Sequence, residues 1–306
     1  MVPLAVNPDS FGNILLILFH VCLATIIVLL NLGVFLCIAM TRSLRKENRF
    51  LYMMSTCISD FFTGATWYYV GIFDVHEGFP KKNDIYYFSP TFLGLSYLVV
   101  IAAQADRYHA VTSPIRYLQR MTLQKTLVVL TSLWALSFLT LVAQNLLSTS
   151  TAAHTQSIGT LVMNFIALVI MLGLNIRLFL IAKYQLERDP PTPEREAKRS
   201  SLYLIIVVAA SFLFLWSPVF LRVIICNFMP IKCRTETNSA TNIVVTLPRI
   251  NAALTPLLWC DKSYSILFGI SSGSPVRGPQ QLPADTMALL LVKSLSSLHK
   301  NHIEKP

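Results

Sequence analysis

The chain is short of charge. Asp, Glu, Lys and Arg make up 13% of its 306 residues and hydrophobic residues 54%, whereas about a quarter of a soluble domain is charged. Water is therefore not its only solvent. Other absences narrow the function. No His, Cys, Asp and Glu stand at metal-ligand spacing, and no nucleophile, base and orienting group can be assembled for catalysis; neither a metal centre nor an enzyme is expected. There is no internal repeat or interrupted half-helix of the transporter kind. The net charge of +10 comes with no stacking platform and no groove-reading motif, which excludes nucleic acid as its partner. No basic flank precedes the first apolar run, so the first helix is expected to act as an uncleaved insertion signal. Asn7, Asn13, Asn145, Asn227 and Asn238 all lack the Asn-x-Ser/Thr context for glycosylation.

Long apolar runs are what the chain does have. A spanning helix needs about 20 mostly apolar residues, because each residue rises about 1.5 Å through a hydrocarbon layer about 30 Å thick. Seven stretches qualify: Ile14–Met40, Phe50–Asp74, Asp84–Tyr108, Lys125–Leu147, Ile158–Ala182, Ser200–Asn227 and Ala240–Trp259. Runs such as Ile26–Leu30 do not alternate, which excludes the strands of a membrane barrel. The fold class is an all-α membrane protein, a seven-transmembrane helix bundle. Four parts are expected: an extracellular amino terminus (1–13), the bundle (14–259), a membrane-surface helix (260–270) and a disordered cytoplasmic tail (271–306) rich in Ser, Pro, Gly and Gln.

Lys and Arg in short loops are retained in the cytoplasm. One set of loops carries Arg42, Arg45, Lys46 and Arg49, then Arg116, Arg120 and Lys125, then Lys183, Arg188, Arg195, Lys198 and Arg199. The other carries only Lys81, Lys82, Lys232 and Arg234. The amino terminus is thus extracellular, and the net positive charge reads as topology plus attraction to anionic lipid of the inner leaflet. The prolines of Asp189-Pro190-Pro191-Thr192-Pro193 break both helices flanking the third cytoplasmic loop. Cys22, Cys37 and Cys57 fall inside apolar helices and read as small buried thiols. Cys226 and Cys233 bracket the last extracellular loop, in an oxidising compartment, and either close a local disulfide or stay reduced.

Charge in hydrocarbon costs about 2.5 kcal/mol or more, so polar residues at membrane depth are informative. Asp60 lies in mid-helix, with Asn31, Ser96, Asn251 and Thr255 as candidate partners on other helices. Two readings stand: a protonated carboxyl that holds helices together, and a hydrated cation, sodium in kind, held among these oxygens. Asp106-Arg107-Tyr108 closes the third helix on the cytoplasmic side and is followed by Ser113-Pro114-Ile115-Arg116-Tyr117. An ordinary basic helix terminus is the plain alternative there.

With Asn31, Asp60, Asp106-Arg107-Tyr108, Trp134, Phe212, Trp216-Ser217-Pro218, Asn251 and Thr255-Pro256 in this order and spacing, residues 1–268 resemble the rhodopsin-like family of G-protein-coupled receptors. The resemblance implies a plasma-membrane receptor that transduces an extracellular ligand signal to a heterotrimeric G protein. Phe212, Trp216 and Pro218 in the sixth helix, with Thr255, Pro256 and Trp259 in the seventh, would be the activation switch. Movement of the sixth helix would open a cytoplasmic cleft in which Asp106, Arg107 and Tyr108 meet the G protein, lined by Lys198 and Arg199.

The chain departs from the family in several places. Cysteines near Lys82 and between Leu147 and Ile158, which would tie the third helix to the second extracellular loop, are missing. Ala167 stands where a proline is typical and Asn175 where a tyrosine is, and the last motif reads Thr255-Pro256-Leu257-Leu258-Trp259. These changes keep a second class of function open, a non-signalling decoy or co-receptor that modulates another receptor. Ser89 occupies the position at which amine receptors carry an aspartate, so an amine ligand is not expected. Arg249 and Arg222, with Asp74 and Ser89, are candidates for the ligand pocket. The arginines would form a wall for an acidic ligand, or else snorkel to the surface or pair with Asp74 and Glu77. Tyr68, Tyr69, Tyr86 and Tyr87 would line the same cavity or sit in an aromatic belt.

Overall fold

A computed structural model describes residues 4–42, 44–73, 88–146, 149–185, 193–228 and 241–267. Eight α-helices occur among them: α1 (Phe11–Met40), α2 (Asn48–Val70), α3 (Phe88–Thr112), α4 (Pro114–Arg120), α5 (Leu123–Leu146), α6 (Thr149–Leu180), α7 (Pro193–Phe228) and α8 (Ile243–Leu267). Seven of them answer to the seven expected spans, and α4 is a short helix in the second cytoplasmic loop. The chain divides into two units, Met1–Leu257 and Leu258–Pro306. The first is the bundle described below; of the second, residues 258–267 are helical.

Helices α1 and α3, the stretch Leu123–Ala143 of α5 and the stretch Leu161–Leu180 of α6 are long and apolar enough to cross a membrane on their own. The polar content of α2 has an interior use. Its hydroxyls bond back along the helix, Thr56 to the Tyr52 carbonyl at 3.1 Å, Ser59 to Thr56 at 2.9 Å and Thr63 to Ser59 at 3.0 Å. A hydroxyl is satisfied this way without leaving its own helix. The same face then packs closely. A Cβ on Gly64 would stand 2.8 Å from Cγ2 of Ile27, inside van der Waals contact. Only a glycine lets α1 and α2 approach so near, in keeping with the small residues that membrane helices place at their interfaces.

Polar clips join the other helices. Asn31 of α1 donates to the Ala252 carbonyl of α8 at 3.0 Å, the indole N–H of Trp134 in α5 donates to Ser55 of α2 at 2.9 Å, and Thr25 and Tyr68 share a 2.7 Å hydrogen bond between α1 and α2. Helix α3 is central, touching α2, α5, α6 and α7.

Several boundaries differ from those read in the sequence. Helix α3 runs four residues further, to Thr112, and stops only where Ser113 is pushed out of the helical region (φ −144°, ψ 66°) by the proline that follows. Helix α6 begins at Thr149 rather than Ile158, so two residues separate it from α5. Most of the stretch between Leu147 and Ile158, where the family's cysteine is missing, is thus helical. Helix α7 starts at Pro193, seven residues before the expected Ser200, because a proline in the first turn sacrifices no intrahelical bond. Helix α8 is bounded by Ile243 and Leu267, so residues 260–267, within the stretch expected as a membrane-surface helix, are helical. Cys57 is buried as expected, whereas Cys22 is exposed on the outer face of α1.

Candidate functional site

At the cytoplasmic end, α3 presents adjacent opposite charges. Arg107 reaches the Asp106 carboxylate through Nη2 at 2.6 Å and Nε at 3.1 Å. The acid side chain is buried, while the Arg107 side chain keeps 22% of its surface open. Tyr117, carried on α4, completes the arrangement. Its hydroxyl donates to both carboxylate oxygens at 3.1 and 3.2 Å, and receives Asn48 of α2 at 3.2 Å and Arg107 at 3.3 Å. Burial, together with the neighbouring carboxylate, pushes the Tyr117 phenol up from its ordinary value. It is therefore protonated at neutral pH and able to act as a donor. Chemically this is a guarded cation: the guanidinium is held, and freeing it leaves a buried carboxylate short of a partner. Tyr117 and Asn48 were not singled out from the sequence. Tyr117 was visible only as the end of the motif after Asp106-Arg107-Tyr108, since a bond from α4 back to α3 needs the turn at Ser113-Pro114.

In the middle of the bundle, Phe212 and Trp216 of α7 stack on each other and on Tyr97 of α3, with ring centroids 5.1–5.3 Å apart and planes within 16°. Phe220 tilts against the same tyrosine at 5.7 Å. Pro218 lies inside α7, between Trp216 and Phe220. Tyr97 has no sequence signal beyond sharing a helical face with Ser89, Leu93 and Val100. In α8, Thr255 spends its hydroxyl proton on the Asn251 carbonyl at 2.9 Å, and Pro256 is an interior proline. The side chains of Trp259, Lys198 and Arg199 lie outside the described residues.

Asp60 is buried in α2, and Ser96, Asn251 and Thr255 are buried too. Ser96 supplies a side-chain hydrogen bond to the carboxyl. Asn31 does not, since its amide nitrogen bonds the Ile27 and Ala252 carbonyls at 2.9 and 3.0 Å.

Toward the extracellular side Arg249 does not snorkel. It is 4% exposed, stands 3.9 Å above the ring of Trp67, donates through Nη2 to the Ser89 hydroxyl at 3.0 Å and through Nη1 to the Val245 carbonyl. His20 meets the same indole edge-on at 5.3 Å. Four helices thus meet around one guanidinium, and both Trp67 and His20 escaped notice as ordinary apolar-helix residues. Arg222 is partly buried on α7. Tyr68 shares its hydroxyl with Thr25 of α1, and Tyr69 packs on Phe73 at 5.6 Å. Asp74, Glu77, Tyr86, Tyr87 and Cys233, with the side chain of Cys226, lie outside the described residues.

An acid–arginine pair guarded at the cytoplasmic end of the third span, a proline in the sixth beside a stacked tryptophan, and a buried acid in the second define a class of signalling receptor. Residues 30–259 match the model of the 7 transmembrane receptor (rhodopsin family), and the chain belongs to that family. It is a multi-pass, G-protein-coupled receptor and not an enzyme. It is 26% identical over 268 residues to the neuropeptide S receptor of Macaca mulatta, covering 74% of this chain and 71% of that one, and 25% identical to the human neuropeptide S receptor over the same length. It is also 25% identical over 180 residues to melanocortin receptor 3 of Rattus norvegicus, covering 55% and 53% of the two chains.

Proposed function

We propose that this receptor sits in the plasma membrane, takes an extracellular peptide with an acidic group, and passes its signal to a heterotrimeric G protein by an outward swing of α7 about Pro218. The observation that carries the reading is the guarded guanidinium: Arg107 lies at the cytoplasmic mouth, held by Asp106 and Tyr117, and becomes available only if that end of the bundle rearranges. Pro218 removes one backbone hydrogen bond and lets the two halves of α7 bend separately. At the other end Arg249, with Ser89 beside it, supplies the charge and geometry that a carboxylate accepts. The kinship with neuropeptide S and melanocortin receptors supports a peptide as the ligand class. The ligand acts only through its differential affinity for the two arrangements of the bundle.

The buried oxygens around Asp60 fit a small hard cation. Asp60, Ser96, Asn251 and Thr255 all carry oxygen there, and the side-chain oxygen of Asn31 is buried with no hydrogen-bond partner. Oxygen donors of this kind suit such ions, and sodium would supply the charge that offsets a buried carboxylate.

Coupling is tested by ligand-independent output of wild type beside Arg107→Ala, normalised to surface expression, across the G-protein classes. A loss in the variant, confined to one class, is expected. Equal output from both proteins in every class would sink the coupling reading. It would favour instead a non-signalling co-receptor, for which the loss of tyrosine at Asn175 and in Thr255-Pro256-Leu257-Leu258-Trp259 argues.

A further inference from the structure

Two features of the extracellular side belong together. The connection between α5 and α6 is two residues long, too short to fold back over the mouth of the bundle. The amino-terminal segment, in contrast, is fastened at both ends. Leu4 pairs with Phe73 in an antiparallel bridge, and the Ala5 N–H donates to the Ile72 carbonyl at 2.9 Å. At its other end Asn13 of α1 bonds the Asn7 carbonyl at 3.0 Å and the Asp9 carboxylate at 2.9 Å, while Ser10 caps α1 by accepting from the Asn13 N–H. The anchor on α2 is close to the guanidinium site. Gly71, just before Ile72, lies so tightly on Trp67 that a Cβ would stand 2.9 Å from its carbonyl oxygen and 3.0 Å from its ring, and Arg249 rests on that ring.

We infer that Leu4–Ser10 is an autoinhibitory strap: it pairs in cis with the backbone at Ile72–Phe73 through an isolated bridge, and a peptide ligand must displace it. This rests on the coupling reading above. The sign follows from linkage. The strap is paired in the arrangement in which Asp106 holds Arg107, so contacts made only there favour the silent state, and their loss favours the other. The Ala5 N–H to Ile72 carbonyl bond is the kind of main-chain contact that a peptide pairing with the same backbone would replace.

The test uses the full chain with Leu4→Cys and Phe73→Cys together, since facing residues of an antiparallel pair lie near disulfide distance. Each single cysteine variant serves as control. Oxidation is expected to close the disulfide, slow amide exchange at residues 67–73 and lower ligand-independent coupling to the Arg107→Ala level, all reversed by reductant. Ala5→Pro, which deletes the N–H donor, is expected to raise coupling and speed exchange by about fivefold, the worth of one hydrogen bond. A disulfide that does not form, or one that leaves exchange and coupling unchanged, overturns the strap. If exchange responds as expected but Arg107→Ala couples like wild type, the strap stands as a structural clasp and the coupling reading fails.

Discussion

Tyr117 sits on a helix of the second cytoplasmic loop, yet its hydroxyl serves a carboxylate at the end of a spanning helix. Its titration has a defined sign. A phenol whose folded value lies above its ordinary value near 10 adds stability that is fully present below that value and is lost as pH rises through the higher one. Between pH 6 and 9 the Tyr117 contacts are therefore expected to be independent of pH. Above about pH 10, thermal melting of wild type should fall faster than that of Tyr117→Phe; parallel curves would mean the phenol is not perturbed. At this scale the sequence was legible where a residue type was surprising in its setting. Asp60 and Arg249 stood out as charges in apolar helices. Trp67, His20 and Tyr97 did not, because aromatic residues are ordinary in a spanning helix and only tertiary structure shows which of them touch a guanidinium or another ring.

Helices are where the close approach of α1 and α2 is decided. Valine at Gly64 would drive its branched side chain into Ile27 and Val28, whose nearest atoms lie 2.8–3.0 Å from the first added carbon. Both neighbours are stiff at χ1, so the helices must part. Gly64→Val is expected to cost about 1–3 kcal/mol, read as a lowered melting temperature in detergent, with Gly64→Ser milder. An unchanged melting temperature would mean the interface yields freely. The existence of these elements was legible from their apolar runs, but their ends were not. Pro193 reads as a breaker in the sequence but is the first residue of α7, and apolarity places the start of α6 at Ile158 because Thr149–Ser157 is polar. A helix of 32 residues is about 48 Å long, longer than the hydrocarbon it crosses, so hydropathy sees only its middle.

Over the whole molecule, the asymmetry of charge survives folding as a basic cytoplasmic rim, formed by residues such as Arg42, Arg45, Lys46, Arg116 and Arg120 in and around the loops after α1 and α3. Anionic headgroups near that rim add favourable electrostatics that salt screens over about 10 Å at 0.1 M. Melting in lipid nanodiscs is expected at a higher temperature with anionic lipid than with zwitterionic lipid, and the gain should shrink at high salt. A salt-independent gain would point to a specific lipid pocket instead. The number of helices was readable at this scale because the bilayer sets the length of apolar run that each span needs. The identity of a ligand was not, since side chains that meet from different helices, as His20, Trp67, Ser89 and Arg249 do, cannot be paired from the sequence.

The guanidinium over Trp67 also has an optical consequence. An indole is the brightest native fluorophore of a protein, and its emission depends on the charge beside its ring. A ligand that draws Arg249 away changes that charge without touching the indole. If the acidic ligand proposed above engages Arg249, Trp67 is a built-in dye that reports its arrival with no label attached.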